Sequence, residues 1–136
     1  MSERYTVDAV ALLRYLVDAL PGGADEVFRR AEADDAELLV PNIVAAETLY
    51  TVRKHDKVKG VSLSADAVDV AESLGTDVPV TVVDDRYEGT RRLVEYIDEL
   101  SLHDAMVVVS HETYGTDAVL TKDPEIAEQA SRAVWE

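Results

Sequence analysis

Short, nearly continuous apolar runs alternate along the chain with stretches whose apolar positions recur every three to four residues. Tyr5-Thr6-Val7, Leu38-Leu39-Val40, Val78 to Val83 and Ala118 to Thr121 are runs of the first kind. They are short and mostly β-branched or aliphatic, and they read as strands over 4–7, 38–40, 78–83 and 118–121. Val10, Leu13, Leu16, Val17 and Leu20 mark a helix over 9–20, ended by Pro21-Gly22-Gly23. A second helix falls at about 24–35. Pro41 suits the start of a third, at about 42–54. Residues 55–62 read as a polar loop. Ser64 is the expected N-cap of a helix over 65–74 that Gly75 closes. Asp84 or Asp85 is the expected cap of a helix carrying Tyr87, Leu93, Val94 and Ile97. Another covers about 103–114 and stops at Gly115, Pro124 begins a short one, and Ala133-Val134-Trp135 reads as a final edge strand. No repeat, low-complexity tract or linker interrupts the order, so one domain over 1–136 is expected.

Continuous apolar strands separated by helices imply an α/β fold in which a central, mostly parallel sheet is covered on both faces, a three-layer sandwich. Right-handed crossovers put the strand ends Asp8, Pro41, Asp84 and Asp123 on one edge. In open α/β sheets, sites form beyond the carboxyl ends of the strands.

Four acids are aimed at that edge. Asp8 follows the first strand and Asp123 the run ending at Thr121. Glu47 interrupts the apolar helix face from Ile43 to Leu49, and Asp104 precedes Ala105-Met106-Val107-Val108-Val109. Carboxylates at the rim of an apolar core need compensation for their charge. Oxygen-only donors point to Mg²⁺ or Mn²⁺. Such an ion activates water and offsets charge on a phosphoryl oxygen, and a pair of ions clamps both the attacking and the leaving oxygen. Plainer readings stand beside this one. Asp8 and Asp104 also suit helix N-caps, and Asp123 an Asx-turn before Pro124. His55, His103 and His111 are too scattered to suggest a metal or base role.

Composition narrows the class. With 136 residues, 47% of them apolar, the chain can bury a core. No apolar run approaches the ~20 residues of a membrane span, and Met1-Ser2-Glu3-Arg4 does not open a signal peptide. There is no cysteine, which removes disulfides, thiol catalysis and Cys-based zinc sites and suits the cytoplasm. The net charge of −15 is unlike that of a simple nucleic-acid-binding module. It suits either a halophilic surface kept soluble at high salt or a basic partner, and the scattered acids and sparse lysine favour the first.

The segments Thr6-Val7-Asp8-Ala9, Val40-Pro41-Asn42-Ile43-Val44-Ala45-Ala46-Glu47, Leu102-His103-Asp104-Ala105 and Val119-Leu120-Thr121-Lys122-Asp123 together resemble the PIN-domain family, most closely the VapC-type toxin ribonucleases. The resemblance spans nearly the whole chain in order and spacing. It implies a PIN-like fold, with Asp8, Glu47 and Asp104 as core catalytic and metal-binding acids. Asp123 would be the fourth, more variable acid, and Thr121 a supporting hydroxyl. It further implies an RNA substrate cut by metal-dependent hydrolysis, an antitoxin partner and a homodimer. Apolar helix positions at Leu12, Leu16 and Tyr50 also suggest pairing. The polar Ser110-His111-Glu112 departs from the small apolar residues of relatives.

Basic residues are few, so their grouping matters. Arg53, Lys54, Lys57 and Lys59 follow the Glu47 helix, and Arg86, Arg91 and Arg92 lie on another. Either group could hold phosphates or simply balance nearby acids. One rival is a receiver-like signalling domain phosphorylated on Asp84 with Lys122 assisting. It expects paired acids after the first strand, and Asp8 stands alone. A phosphatase of the Asp-x-Asp type fails because residue 10 is Val. A catalytically silent PIN-like binding protein leaves four intact acids without a role.

Overall fold

The computed structural model describes residues 3–55, 57–58, 61–62 and 66–136. In chain order these form β1 (Glu3–Val7), α1 (Ala9–Leu16), α2 (Gly22–Glu32), β2 (Ala36–Pro41), α3 (Asn42–Lys54), β3 (Lys57–Val58), β4 (Val61–Ser62), α4 (Ala67–Ser73), β5 (Thr81–Val83), α5 (Tyr87–Thr90), a 3₁₀ segment (Arg91–Glu95), α6 (Leu102–Tyr114), β6 (Ala118–Leu120), α7 (Pro124–Ala130) and β7 (Ala133–Val134). Five strands make one sheet in the order β5-β2-β1-β6-β7, parallel throughout. The central strands are buried on both faces, which is why Tyr5-Thr6-Val7, Leu38 to Pro41 and Ala118-Val119-Leu120 read as unbroken apolar runs. Helices cover the sheet in the three-layer α/β arrangement expected from the strand–helix alternation. No helix among the described residues is long and apolar enough to cross a membrane.

The strand order places the topological switch point between β1 and β6. The chain runs outward from β1 through β2 to β5, then returns to the other side at β6. Crevices at such points, beyond the strands' carboxyl ends, are where α/β sheets bind ligands.

Several local expectations are revised. α1 stops at Leu16 rather than 20. Asp18 takes the left-handed conformation (φ 55°), its N–H donates to the Tyr15 carbonyl, and the Ala19 N–H donates to that of Arg14 at 2.8 Å. This Schellman closure satisfies the last carbonyls four residues early. Where a polar loop is expected, Lys57–Val58 pairs antiparallel with Val61–Ser62, Val58 opposite Val61, so two residues connect the strands. The cap of α4 is Asp66, which accepts from the Val68 N–H. Ser64, the expected cap, lies outside the described residues.

Neither Asp84 nor Asp85 caps the 87–97 segment. Arg86 holds the N-cap position, without a side-chain bond, and α5 gives way to the 3₁₀ segment after one turn. Gly89 explains the close packing here. A β-carbon at that position would collide with the Thr113 hydroxyl of α6. Two dimer indicators also change. Leu12 is fully buried in the core, and Leu16 packs against it. Tyr50 does stand out, 63% exposed.

The polar stretch in α6 is accommodated. Ser110 is buried. The His111 ring meets the Thr116 hydroxyl at 2.7 Å, and Glu112 accepts from Tyr96 and pairs with Arg92.

Candidate carboxylate site

β1 and β6 run in register, Val7 beside Leu120, and the Asp8 N–H donates to the Leu120 carbonyl at 3.2 Å. Asp8 and Thr121 are therefore neighbours just past the ends of adjacent strands. Asp8 is 6% exposed. Its Oδ1 accepts from the Ala11 N–H at 2.8 Å, capping α1. Burial pushes its carboxyl up to about 6, against the pull of the Thr121 hydroxyl and the Ala11 amide. The charges of Asp104 and Asp123 push in the same direction as burial.

Asp123 caps α7 through the Glu125 N–H at 2.8 Å, and its own N–H donates to the Thr121 hydroxyl at 3.0 Å. Thr121 is buried and links Asp123 to Asp8. Asp104 is not an N-cap. Ser101 caps α6, its hydroxyl accepting from the Asp104 N–H at 3.3 Å, which puts Asp104 in the first helical turn. Burial raises the Asp104 carboxyl, opposed by Ser101, and Asp123 raises it further through its charge and a shared hydrogen bond.

Glu47 comes from the middle of α3 and faces the N-terminus of α6. Its Oε1 lies 3.3 Å from His103 Nδ1. Burial raises the Glu47 carboxyl, the His103 ring lowers it, and Asp104 raises it. Asp8, Asp104 and Asp123 thus form one electrostatic group, and Glu47 joins it through Asp104. Among the described residues, no three acidic or histidine side chains close tightly enough to grip an ion as they stand. Three of the four acids are turned toward a local donor instead: Asp8 and Asp123 to helix amides, Glu47 to His103. Like charges without a cation between them are expected to rest in this way. The donor set fits a hard divalent cation: carboxylate oxygens, one deeply buried and resisting ionisation, beside a hydroxyl.

Two residues were absent from the sequence reading of the site. His103 sits in the first turn of α6 next to Asp104, and that adjacency was the available signal. Asp85 is the other. Burial raises its carboxyl, and the Ile43 amide at the start of α3 lowers it. Pro41, at the N-cap position of α3, makes no side-chain cap bond. Asp85 therefore places a carboxylate at the N-terminus of the Glu47 helix from beyond β5. Its Oδ1 is buried without a partner.

Among the candidate phosphate contacts, Arg53 and Lys54 are exposed in the last turn of α3. Neither has an acidic partner within ion-pair distance among the described residues. The Lys57 side chain and Lys59 lie outside the described residues. Arg92 is committed to Glu95 and Glu112, and Arg86 lies over the Tyr114 ring at 4.7 Å. The strand order also speaks against the receiver reading. Asp84 follows β5 and Lys122 follows β6, and β2 and β1 lie between those strands. Three strand spacings amount to roughly 14 Å.

The PIN domain family model matches residues 5–131. No curated protein matches the chain. Among solved structures, it is similar to VapC20 of Mycobacterium tuberculosis, a sarcin–ricin loop cleaving toxin. The TM-score is 0.65 at 17% identity, covering 91% of this chain and 93% of that one. It is also similar to VapBC2 from Rickettsia felis, solved bound to a DNA fragment from their promoter. There the TM-score is 0.68 at 14% identity, covering 98% and 99%.

Proposed function

The chain belongs to the PIN domain family, and on that premise we propose that it is a divalent-metal-dependent endoribonuclease, the toxin of a toxin–antitoxin pair working in the cytoplasm. The observation that carries this reading is the cluster at the switch point, where buried Asp8 shares its surroundings with Asp104 and Asp123 and its pKa is raised to about 6. A protein keeps such a group where a cation or a reaction uses it. The structures of VapC20 and VapBC2 share the fold.

Asp8, Glu47, Asp104 and Asp123 would hold Mg²⁺ or Mn²⁺. When bound, the ion supplies charge stabilisation at the scissile phosphate and lowers the pKa of water. The protein's own groups prepare that site. Thr121 hydrogen-bonds Asp8 and favours its ionised form. Asp85 places a negative charge at the N-terminus of α3, and His103 holds Glu47 toward α6. Arg53 and Lys54 offer positive charge to the RNA backbone. Purified protein should cut RNA internally in Mg²⁺ or Mn²⁺ and lose that activity in chelator; a metal-bound preparation that leaves RNA intact counts against the reading. A small protein encoded beside this one should abolish the cleavage, and a neighbouring reading frame whose product leaves it untouched counts against the toxin role.

The surface is adapted to salt on the same reading. Glu26, Glu32, Asp34, Asp35, Glu37, Asp66, Asp69 and Glu72 are all exposed, and the net charge is −15. Below ~0.1 M salt the Debye length exceeds about 10 Å, and at ~1 M it is about 3 Å. Raising KCl from ~0.05 to ~2 M, a range chosen for that change, should raise the melting temperature; a flat or falling curve refutes the salt adaptation and leaves the nuclease assignment standing. The exposed Tyr87, Val94 and Ile97 support a homodimer. Sedimentation at high salt should give twice the monomer mass, and a monomer at micromolar concentration excludes it.

A further inference from the structure

Beside the carboxylates, an open groove of about 430 Å³ is lined by Ile43, Ala46, Glu47, Tyr50, Thr51 and His103. Its volume is that of a small-ligand site. Apart from Thr51, the lining is apolar except where Glu47 and His103 join it to the carboxylate cluster. Tyr50, one turn beyond Glu47 on α3, is 63% exposed. The Lys54 ammonium lies 5.9 Å from its ring centroid, and Arg53 shares that last turn.

We infer that this groove is a nucleobase subsite: a base flanking the scissile phosphate stacks on Tyr50, and the next phosphate along the strand meets Lys54 and Arg53. The inference rests on the nuclease reading and adds to it how the strand is held. Three observations carry it. The groove is continuous with the carboxylates through Glu47, so a strand at the cluster passes along it. An exposed aromatic ring beside a cation is the combination that single-stranded nucleic acid binds, base on ring and phosphate on charge. In a chain of net charge −15, two basic residues without acidic partners among the described residues form one of the few places an RNA backbone is attracted. The subsite requires single-stranded RNA, because a base paired in a duplex cannot stack on the ring.

The test uses the full chain, Mn²⁺ and short single-stranded RNAs that differ only at the nucleotide flanking the cut. Tyr50→Ala should raise KM on the order of tenfold or more with kcat nearly unchanged, because stacking binds substrate and does not touch the reacting atoms. Tyr50→Trp should restore KM. On an RNA that is abasic at the flanking position, wild type and Tyr50→Ala should have the same KM, a result that a purely structural role for Tyr50 would not give. Equal KM for wild type and Tyr50→Ala on the intact RNA overturns the inference while leaving the nuclease reading in place. Loss of the dimer in Tyr50→Ala without a change in RNA affinity also overturns it, and assigns the groove to a second copy. If the wild type cuts no RNA, the nuclease reading itself fails, and the subsite with it.

Discussion

Asp8→Asn is expected to abolish RNA cleavage and at the same time to give a more stable protein above about pH 6. Removing groups that merely orient metal ligands costs about 10–100-fold, so loss of the most buried of the proposed ligands should cost at least about 100-fold. The gain in stability has a separate origin. Asp8 is 6% exposed and burial raises its carboxyl from 3.8 to about 6. Ionising it in the ion-free protein therefore opposes folding by roughly 3 kcal/mol at neutral pH. Asparagine removes that charge and still caps α1, because Asn and Asp are comparable N-caps. A melt at pH 7.5 beside a cleavage assay reads both effects. A variant that cuts RNA at the wild-type rate contradicts the assignment of Asp8.

Mn²⁺ or Mg²⁺ at millimolar concentration is expected to raise the melting temperature and to reverse its dependence on pH. Without the ion, the folded-state pKa of Asp8, about 6, lies above its unfolded value of 3.8. Its contribution is fully present below about pH 3.8 and lost as the pH rises through about 6, so stability falls across that window. Glu47 and Asp104 are raised as well and act in the same direction. The ion competes with the protons and binds the ionised carboxylates, so its contribution grows over the same window. At about 100 times its Kd a ligand adds about 2.7 kcal/mol, or roughly 10 °C for a chain of this size. Melts at pH 4 to 8 with and without Mn²⁺ read this; curves that superimpose at pH 7.5 contradict ion binding.

What could be read from the sequence was what is local. The span of α3, residues 42–54, follows from Pro41 before an amphipathic run, and the end of α6 from Gly115, which takes φ 64°. Parallel strands follow from unbroken apolar runs, and from them comes the edge where the acids stand. What escaped depends on contacts between distant segments. The early stop of α1 needs Asp18 in a left-handed conformation, which residue type alone does not announce. Gly89, inside a stretch read as helical, was a usable warning of the break, since it lies against Thr113. Asp85 suggested a cap for the residues after it, yet its carboxylate stands at the N-terminus of α3, some forty residues earlier in the chain. His103 looked isolated because Glu47, its partner, belongs to another helix. The acids read as either caps or site residues divide informatively. Asp8 and Asp123 are caps as well as members of the cluster, whereas Asp104 caps nothing.

That difference makes Asp104 the sharpest probe of the nuclease assignment. Its carboxylate caps no helix, and its one influence at the start of α6 is through the Ser101 hydroxyl, which asparagine can also accept from, so Asp104→Asn alters chiefly the cluster. The decisive measurement is cleavage of one RNA by wild type and Asp104→Asn in Mn²⁺, with a chelator control and a melt of each protein. The wild type should cut only with the ion, and Asp104→Asn should not cut although its melting temperature is unchanged or higher. Undiminished cleavage by Asp104→Asn, or cleavage by the wild type in chelator, would contradict a metal-dependent carboxylate nuclease.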